Sequence, residues 1–354
     1  MSEEAWWVYR GTGVPHRRVE DLPEAPPWRR FARAFEGEGD TLREPPSEPV
    51  DGSTARRLGR ARQVAAYQAD EKEIQLVNLA LHLRRPLLVT GRPGVGKSTL
   101  AFAVAHELGL GPVLRWPITS RSTLGDGLYA YDAIGRLHDA GIRNGSALVR
   151  PRRQRMASGI GSYLRLGPLG TALLPWRLPR VLLIDEIDKS DFDLPNDLLN
   201  IFEDGEFEIP ELARLGPGRQ RVMTADPHHT AMVTGGVVRC SQFPFVVLTS
   251  NAEREFPTAF LRRCVRLDMA PPDEARLAAM VAAHLGHMGG DGQDAADRAQ
   301  ELIAEFLRRQ REDGAELAND QLLNALLMAG RGLWDGEEGQ HLVRNVLLRP
   351  LNQE

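Results

Sequence analysis

The chain has 354 residues, of which 26% are charged, and a formal net charge of −4. This length accommodates one large domain and a smaller one, and so mild a charge does not by itself indicate a nucleic-acid or membrane surface. Two cysteines, Cys240 and Cys264, exclude a disulfide framework and fit a reducing compartment. The first residues lack a secretory pattern, and no apolar run approaches the roughly 20 residues that span a bilayer. We therefore expect a cytoplasmic protein without membrane association.

Residues 1–68 predict a largely irregular N-terminal extension. They are rich in Pro, Glu and Arg, as in VEDLPEAPPWRR and REPPSEPVDGS, and offer few apolar positions for a core. Within them, PWRRFARAF places Trp28, Phe31 and Phe35 at helical spacing. The favoured interpretation of this aromatic patch is packing on the protein's own body, and the alternative is a docking helix for a partner.

Residues 69–269 predict an α/β core. Its five apolar segments are PLLVTG, PVLRWPI, RVLLIDEID, FPFVVLTSN and CVRLDM. Continuous apolar strands separated by helices, such as EKEIQLVNLALHL and STLAFAVAHELG, are typical of a parallel sheet covered on both faces. The strands stop after two prolines at 271–272. Four helical patterns follow, so residues 270–354 predict a small all-helical domain.

The segment GRPGVGKS, residues 91–98, fits G-x-x-x-x-G-K-[ST] at every position and lies between a predicted strand and a predicted helix. Its glycines allow backbone N–H groups to surround phosphate oxygens, and the following helix adds the positive end of its dipole. Lys97 can reach the β- and γ-phosphates as a compact charge, Ser98 can ligate Mg²⁺, and Thr99 would lie near the α-phosphate. The residues expected to hold the nucleotide are Gly91, Pro93, Gly94, Val95, Gly96, Lys97, Ser98, Thr99 and Asp185.

The segment RVLLIDEIDKS ends an apolar strand with Asp185 and Glu186. Asp185 is placed to hold Mg²⁺ together with Ser98, and Glu186 can polarise a water for in-line attack on the γ-phosphate. Taken alone, the segment could be a strand that ends in solvated acids. Beside the glycine loop, the adjacent Asp-Glu pair favours hydrolysis over transfer to a small acceptor.

Two further polar sites flank predicted strands: one lies at the end of the fourth strand, and the other lies just before the fifth. FPFVVLTSN ends in Asn251, whose amide could orient the attacking water between strand ends, although Asn is also a common turn residue. PTAFLRRCVRLDM places Arg262 and Arg263 before the fifth strand. An arginine there could stabilise the charge of phosphoryl transfer, often from a neighbouring molecule, and a solvated surface pair is an equally common interpretation.

These motifs, in this order, resemble the AAA+ ATPases and most closely their MoxR-like branch, over residues 64–350. GRPGVGKST is similar to the Walker A motif and LLIDEIDKS to Walker B with its catalytic glutamate. Asn251 corresponds to sensor 1. PTAFLRRC aligns with a family segment in which Arg263 matches the finger arginine, and Arg262 falls where the family usually has an acid.

Two other regions bear on this resemblance. LPNDLLNIFEDGEFEI looks like the family's helix before an inserted β-hairpin, of which residues 211–242 would be a long version. In this family the small helical domain is called the lid, and the second sensor is an arginine at the start of one of its helices. This chain offers Gln321 there, with Arg331 a distant substitute.

The resemblance implies bound ATP and Mg²⁺ and a ring, most commonly a hexamer, with the nucleotide between neighbours. It also implies catalytic roles for Lys97, Glu186, Asn251 and Arg263, and work as a remodelling or maturation chaperone. Such proteins are commonly paired with a von Willebrand factor A (VWA) domain protein, and some relatives belong to bacterial conflict systems. Two alternatives are a nucleotide-gated switch with little turnover, which Gln321 supports, and a DNA-stimulated ATPase.

Residues 140–179 contain seven arginines and no acidic residue. In a ring, such a stretch could face the pore and grip an acidic client or nucleic acid. The favoured interpretation is a solvated insertion, and nucleic acid is therefore not the favoured partner.

Overall fold

The structure of the chain is a computed structural model. It describes residues 6–31, 42–46, 67–145, 159–272, 274, 276–278, 293–312, 317, 319–328, 336–342 and 348–349. All structural statements below concern these residues.

A five-stranded parallel sheet forms the centre of the molecule. With strands numbered in chain order, its members are β1 (Leu87–Thr90), β2 (Leu114–Pro117), β5 (Val181–Asp185), β10 (Phe245–Ser250) and β11 (Val265–Asp268). Their spatial order is β11-β1-β10-β5-β2, so β1 lies between β11 and β10. Leu87 pairs with both Val247 and Val265. The structure confirms the predicted parallel α/β core.

A second sheet of six short strands packs beside the first. Its members are β3 (Tyr129–Tyr131), β4 (Leu164–Leu166), β6 (Glu206–Glu208), β7 (Arg219–Met223), β8 (Thr230–Thr234) and β9 (Val237–Arg239). The order is β3-β4-β7-β8-β9-β6, and β7 and β8 form an antiparallel hairpin in which Met223 faces Thr230. The hairpin lies within residues 211–242, where the resemblance predicts an inserted β-hairpin. The rest of the sheet was not predicted, because four of its strands have only three residues each.

Helices cover the central sheet and follow it in the chain. In the α/β core they are Glu71–Leu83, Lys97–Glu107, Leu124–Leu128, Ala133–Gly145, Pro168–Ala172, Leu194–Asp204, Pro210–Ala213 and Thr258–Leu261. The C-terminal region adds Gln293–Glu312, Asn319–Met328 and Glu337–Leu342. The first helix begins where the Asp70 side chain accepts the Glu73 N–H at 2.7 Å, and it ends at Arg84, whose φ is 52°.

The two faces of the central sheet pack into different hydrophobic clusters. Leu87 and Val89 lie in the cluster formed with the helices Glu71–Leu83 and Lys97–Glu107, whereas Leu88 lies in the cluster shared with the second sheet. This alternation follows from the period of two along a strand. A third cluster, which includes Phe306 and Leu322, joins the C-terminal helices. A sheet covered on both faces, followed by a helical region, agrees with the prediction.

The described part of the N-terminal extension is attached to the core by buried side chains. The Asn78 Oδ1 atom accepts the N–H groups of Val8 and Tyr9 at 2.7 and 2.9 Å. Fully buried Glu107 accepts the N–H groups of Arg10 and Gly13 at 2.6 and 2.9 Å. Two polar residues on core helices therefore hold a segment that has little regular structure.

The residues of the aromatic patch differ in how far they are buried. The Phe31 ring stacks on Phe243 at 5.8 Å between centroids, which agrees with packing on the protein's own body. Trp28 lies in the short 3₁₀-helix Pro27–Arg29 and is 74% exposed. Phe35 lies outside the described residues.

The arginine-rich stretch is not a solvated insertion over its second half. Leu164, Leu169 and Trp176 are at most 2% exposed and belong to the core beside the second sheet. Arg165, which follows Leu164, is exposed. Arg177, which follows Trp176, pairs with Glu20 and Glu44. Residues 146–158 lie outside the described ranges.

A buried ion pair fixes the second sheet against the first. Arg180, directly before β5, donates to both carboxylate oxygens of Asp226 at 2.8 Å, and the two side chains are 0% and 4% exposed. Its guanidinium also lies 4.8 Å from the Trp176 ring centroid. We expect Arg180→Met to lower the free energy of unfolding by about 3–5 kcal/mol, because Asp226 stays buried without its cation. Urea denaturation measures this loss.

The control for this prediction is Arg177→Met, which removes an exposed guanidinium from the same segment. Its partners are exposed, so we expect a loss of about 1 kcal/mol or less. Equal losses in the two variants would show that the buried pair does not have the structural role assigned to it.

Candidate functional site

The glycine-rich loop follows β1 and leads into the helix Lys97–Glu107. Gly91, Gly94 and Gly96 have φ angles of 149°, 79° and 102°, which side chains disfavour. A Cβ at Gly91 would lie 2.7 Å from the Met269 carbonyl oxygen. The glycines are therefore required for this tight turn, as the motif predicts.

Lys97 is the central cation of the loop. Its Nζ donates to the carbonyls of Gly91 and Arg92 at 2.7 and 2.9 Å, and to Asn251 Oδ1 at 2.7 Å. Burial lowers the pKa of Lys97, and the nearby carboxylates of Asp188 and Glu186 oppose this shift. The side chain thus joins the loop to the end of β10, next to acidic groups.

Asp185 ends β5 and receives three side-chain donors. Its Oδ1 accepts from Ser98 Oγ at 2.7 Å and from Thr249 Oγ1 at 2.9 Å, and its Oδ2 accepts from Arg115 Nη2 at 2.6 Å. Burial raises the pKa of Asp185, but hydrogen bonds from Ser98, Arg115 and Thr249 outweigh it and leave that pKa below its ordinary value. A carboxylate that stays ionised beside a serine hydroxyl is an oxygen donor set that fits Mg²⁺.

Glu186 follows in a left-handed conformation, with φ of 63° and ψ of 50°. Its N–H donates to Thr249 Oγ1 at 2.9 Å, and its half-exposed carboxylate accepts from Lys189 Nζ at 2.8 Å. A non-glycine residue in this conformation costs about 1–3 kcal/mol and is typical of functional sites. The chain therefore turns at Glu186, directly after β5 ends at Asp185.

Asn251 forms hydrogen bonds through both its backbone and its side chain. Its backbone N–H donates to Asp188 Oδ2 at 2.8 Å, while its side-chain oxygen accepts from Lys97. The other carboxylate oxygen of Asp188 is buried and has no hydrogen-bond partner among the described residues. The structure therefore brings Lys97, Ser98, Asp185, Glu186 and Asn251 together at the carboxyl ends of β1, β5 and β10.

Four residues of this site were missed by the sequence analysis. They are Arg115, Asp188, Lys189 and Thr249. Asp188 and Lys189 follow the acid pair within DEIDKS, and Lys189 is one of only three lysines in the chain. Arg115 and Thr249 are polar residues in largely apolar strands, which was the available signal.

The remaining predicted residues lie elsewhere. Arg263 follows the short helix Thr258–Leu261, pairs through Nε with Glu203, and donates from Nη1 to the Ala259 carbonyl at 3.3 Å. Arg262 beside it is exposed. Gln321 donates to the Arg349 carbonyl at 2.9 Å. Arg331 falls outside the described residues.

The fold and the site define a P-loop nucleotide-binding protein, with a glycine loop and an acidic residue at the ends of nearby parallel strands. Residues 86–264 match the AAA domain family (dynein-related subfamily). Since this match covers half of the chain, the protein belongs to the AAA family, and the expected AAA+ ATPase class is confirmed. A comparison with curated proteins found no match.

The MoxR-like branch stays a prediction, because the family match reaches only the AAA level. Within the described ranges, no helix combines the length and the apolar character needed to cross a membrane.

Proposed function

We propose that this AAA ATPase is Mg²⁺-dependent and couples ATP hydrolysis to the remodelling or activation of a partner protein. The observation that carries the proposal is the bonded set at the strand ends. Lys97 contacts Asn251, and Ser98 contacts Asp185, both at 2.7 Å. One cation, one serine–carboxylate pair and one polar amide thus lie around the glycine loop.

Each residue has a distinct role in this proposal. The loop amides of residues 91–96 and the ammonium of Lys97 bind the triphosphate, and Thr99 contacts its α-phosphate. Ser98 and Asp185 would hold Mg²⁺, which when bound neutralises charge on the phosphates. Glu186 accepts a proton from the attacking water, and Asn251 orients that water.

The assembly proposed is a ring, most simply a hexamer, in which Arg263 reaches the nucleotide of a neighbouring subunit. The resemblance to MoxR-like proteins supports this arrangement and suggests a VWA-domain partner in a bacterial conflict system. The client surface in this proposal is the helix Ala133–Gly145, and its support is that Ile134 and Leu137 are 81% and 73% exposed.

The test of nucleotide binding uses two lysine variants and a fluorescent ATP analogue with Mg²⁺. We expect Lys97→Ala to weaken binding roughly 10- to 150-fold, because a charged donor to phosphate is lost. The matched control is Lys72→Ala, which removes an exposed ammonium that donates to the Asp268 carbonyl at 3.4 Å. If Lys97→Ala bound the analogue as tightly as Lys72→Ala does, the proposed site would be wrong.

A nucleotide-gated switch with little turnover is the second candidate, and one observation favours it. The Glu186 carboxylate forms an ion pair with Lys189, and this contact occupies one of its two oxygens. ATP turnover with Lys189→Met separates the candidates. A rise in turnover in Lys189→Met indicates an ATPase that this ion pair restrains. If the unsubstituted chain and Lys189→Met both bind nucleotide without hydrolysing it, the protein is the switch.

A further inference from the structure

A cavity of about 500 Å³ lies at the amino-terminal edge of the central sheet. Arg84, just ahead of β1, lines it together with Pro179 ahead of β5 and Phe243 ahead of β10, and residues 19–31 close it from the other side. The glycine loop follows the carboxyl end of β1. A four-residue strand, about 13 Å long, therefore separates this cavity from the proposed nucleotide site.

Two buried guanidinium groups belong to the cavity wall. Arg29 and Arg84 are 7% and 6% exposed. Arg84 donates to the carbonyls of Leu81 and Pro23 at 2.5 and 2.8 Å, and Arg29 donates to the Phe202 carbonyl. Among the described residues, neither guanidinium forms an ion pair with a carboxylate. Burial lowers the pKa of Arg84 to about 10, because desolvation disfavours the charged form.

The other charges around the cavity are exposed and cancel in pairs. Arg30 pairs with Glu24 at 2.9 Å, and Arg177 pairs with Glu20 at 3.4 Å. Arg177 also pairs with Glu44, and the charge of Glu203 opposes the lowering of the Arg29 pKa by burial. Arg29 and Arg84 remain, among the described lining residues, the two cations without a paired carboxylate. A buried charge without a counter-ion is costly, and contacts with carbonyl groups compensate for it only in part.

The structural explanation for the two arginines is that they bind the last turns of helices. Leu81 belongs to the helix Glu71–Leu83, and Phe202 belongs to the helix Leu194–Asp204. A guanidinium has five N–H donors, and these carbonyl contacts use only part of them. Capping accounts for the position of each arginine, but it does not explain why both line one cavity that also has aromatic walls.

We propose that this cavity binds a small organic anion, with its acidic group at Arg29 and Arg84 and its apolar body against Phe31 and Phe243. The two rings stack at 5.8 Å, and the Arg29 guanidinium lies 5.5 Å from the Phe243 centroid. The volume falls within the range of roughly 300–1,000 Å³ found for small-molecule sites. The site is separate from the nucleotide site and does not depend on the proposed ATPase cycle.

Its position also connects it to the proposed finger arginine. Arg29 binds the carbonyl of Phe202, and the next residue, Glu203, is the partner of Arg263. A ligand that moves Arg29 would therefore act on the end of the helix that holds Arg263.

The test is calorimetric titration of the full chain with phenyl phosphate, which carries both an acidic group and an aromatic body. Phenol and inorganic phosphate, each with one of these features, should bind more weakly. Binding should persist in Lys97→Ala, which excludes the glycine loop as the site. We expect Arg84→Gln to weaken phenyl phosphate binding on the order of tenfold or more.

Two further variants control for folding. Ala25→Trp keeps both arginines and fills the cavity, so it should abolish binding, whereas Arg30→Gln at the rim should change affinity by about twofold or less. The site would be disproved by unchanged binding in Ala25→Trp, by loss of binding in Lys97→Ala, or by no binding up to about 10 mM phenyl phosphate.

Discussion

Glu186→Gln is expected to bind ATP about as tightly as the unsubstituted chain and to hydrolyse it about 100- to 10,000-fold more slowly. Glutamine keeps the length of the side chain but cannot accept a proton from water. Asp185 keeps its bonds to Ser98 and Thr249 in this variant, so the metal-binding pair is preserved. Steady-state phosphate release and fluorescent nucleotide binding, measured on the same preparation, check both parts.

The matched control is Glu253→Gln, the same chemical change two residues beyond Asn251. Glu253 accepts from Asn251 Nδ2 at 3.3 Å and lies close to the site without contacting Asp185 or Ser98. We expect its turnover to stay within a few-fold of the unsubstituted chain, because this contact is exposed and weak. Undiminished hydrolysis in Glu186→Gln would remove Glu186 as the base.

The central sheet and the glycine loop could be predicted because their signals are local. Buried parallel strands must be apolar on both faces, so β5 and β10 appear as continuous apolar runs. The loop needs glycine at the turn and lysine at its end, and both appear at fixed spacing. The predicted meeting of Asp185 and Asn251 with this loop followed from parallel strands sharing one carboxyl edge.

What could not be predicted depends on contacts between residues distant in the chain. Asn78 and Glu107 resemble surface residues of amphipathic helices, yet they bind backbone groups about 70 and 97 residues away. Arg180 and Asp226 are ordinary charged residues in sequence, and only the fold shows that each is the other's buried partner. Sequence periodicity carries no information on such pairs.

Arg263→Ala is expected to lower ATP turnover by about 10³- to 10⁵-fold, the range for a trans-acting arginine. Arg263 contacts none of the glycine-loop residues within its own subunit, and its side chain pairs with Glu203 at the end of a helix. A role in catalysis therefore requires a neighbouring subunit. Nucleotide binding should change little, and phosphate release measured over a range of protein concentrations reports the loss.

The adjacent arginine supplies the comparison. Arg262→Ala removes an exposed guanidinium one residue away, and we expect turnover within a few-fold of the unsubstituted chain. A loss confined to Arg262→Ala would transfer the finger role to Arg262 and leave Arg263 with a structural pair to Glu203.

Mixing two inactive variants tests whether neighbouring subunits share a site. Lys97→Ala binds nucleotide weakly but presents an intact Arg263, whereas Arg263→Ala binds nucleotide but lacks the finger, so the mixture is assayed at an ATP concentration that Lys97→Ala does not bind. At an interface between the two, one intact nucleotide site faces one intact arginine, so a mixture should regain part of the activity that neither variant has alone. Activity equal to the sum of the separate variants would mean that each subunit hydrolyses ATP with its own residues. Arg263 would then have no catalytic role at an interface of the proposed ring.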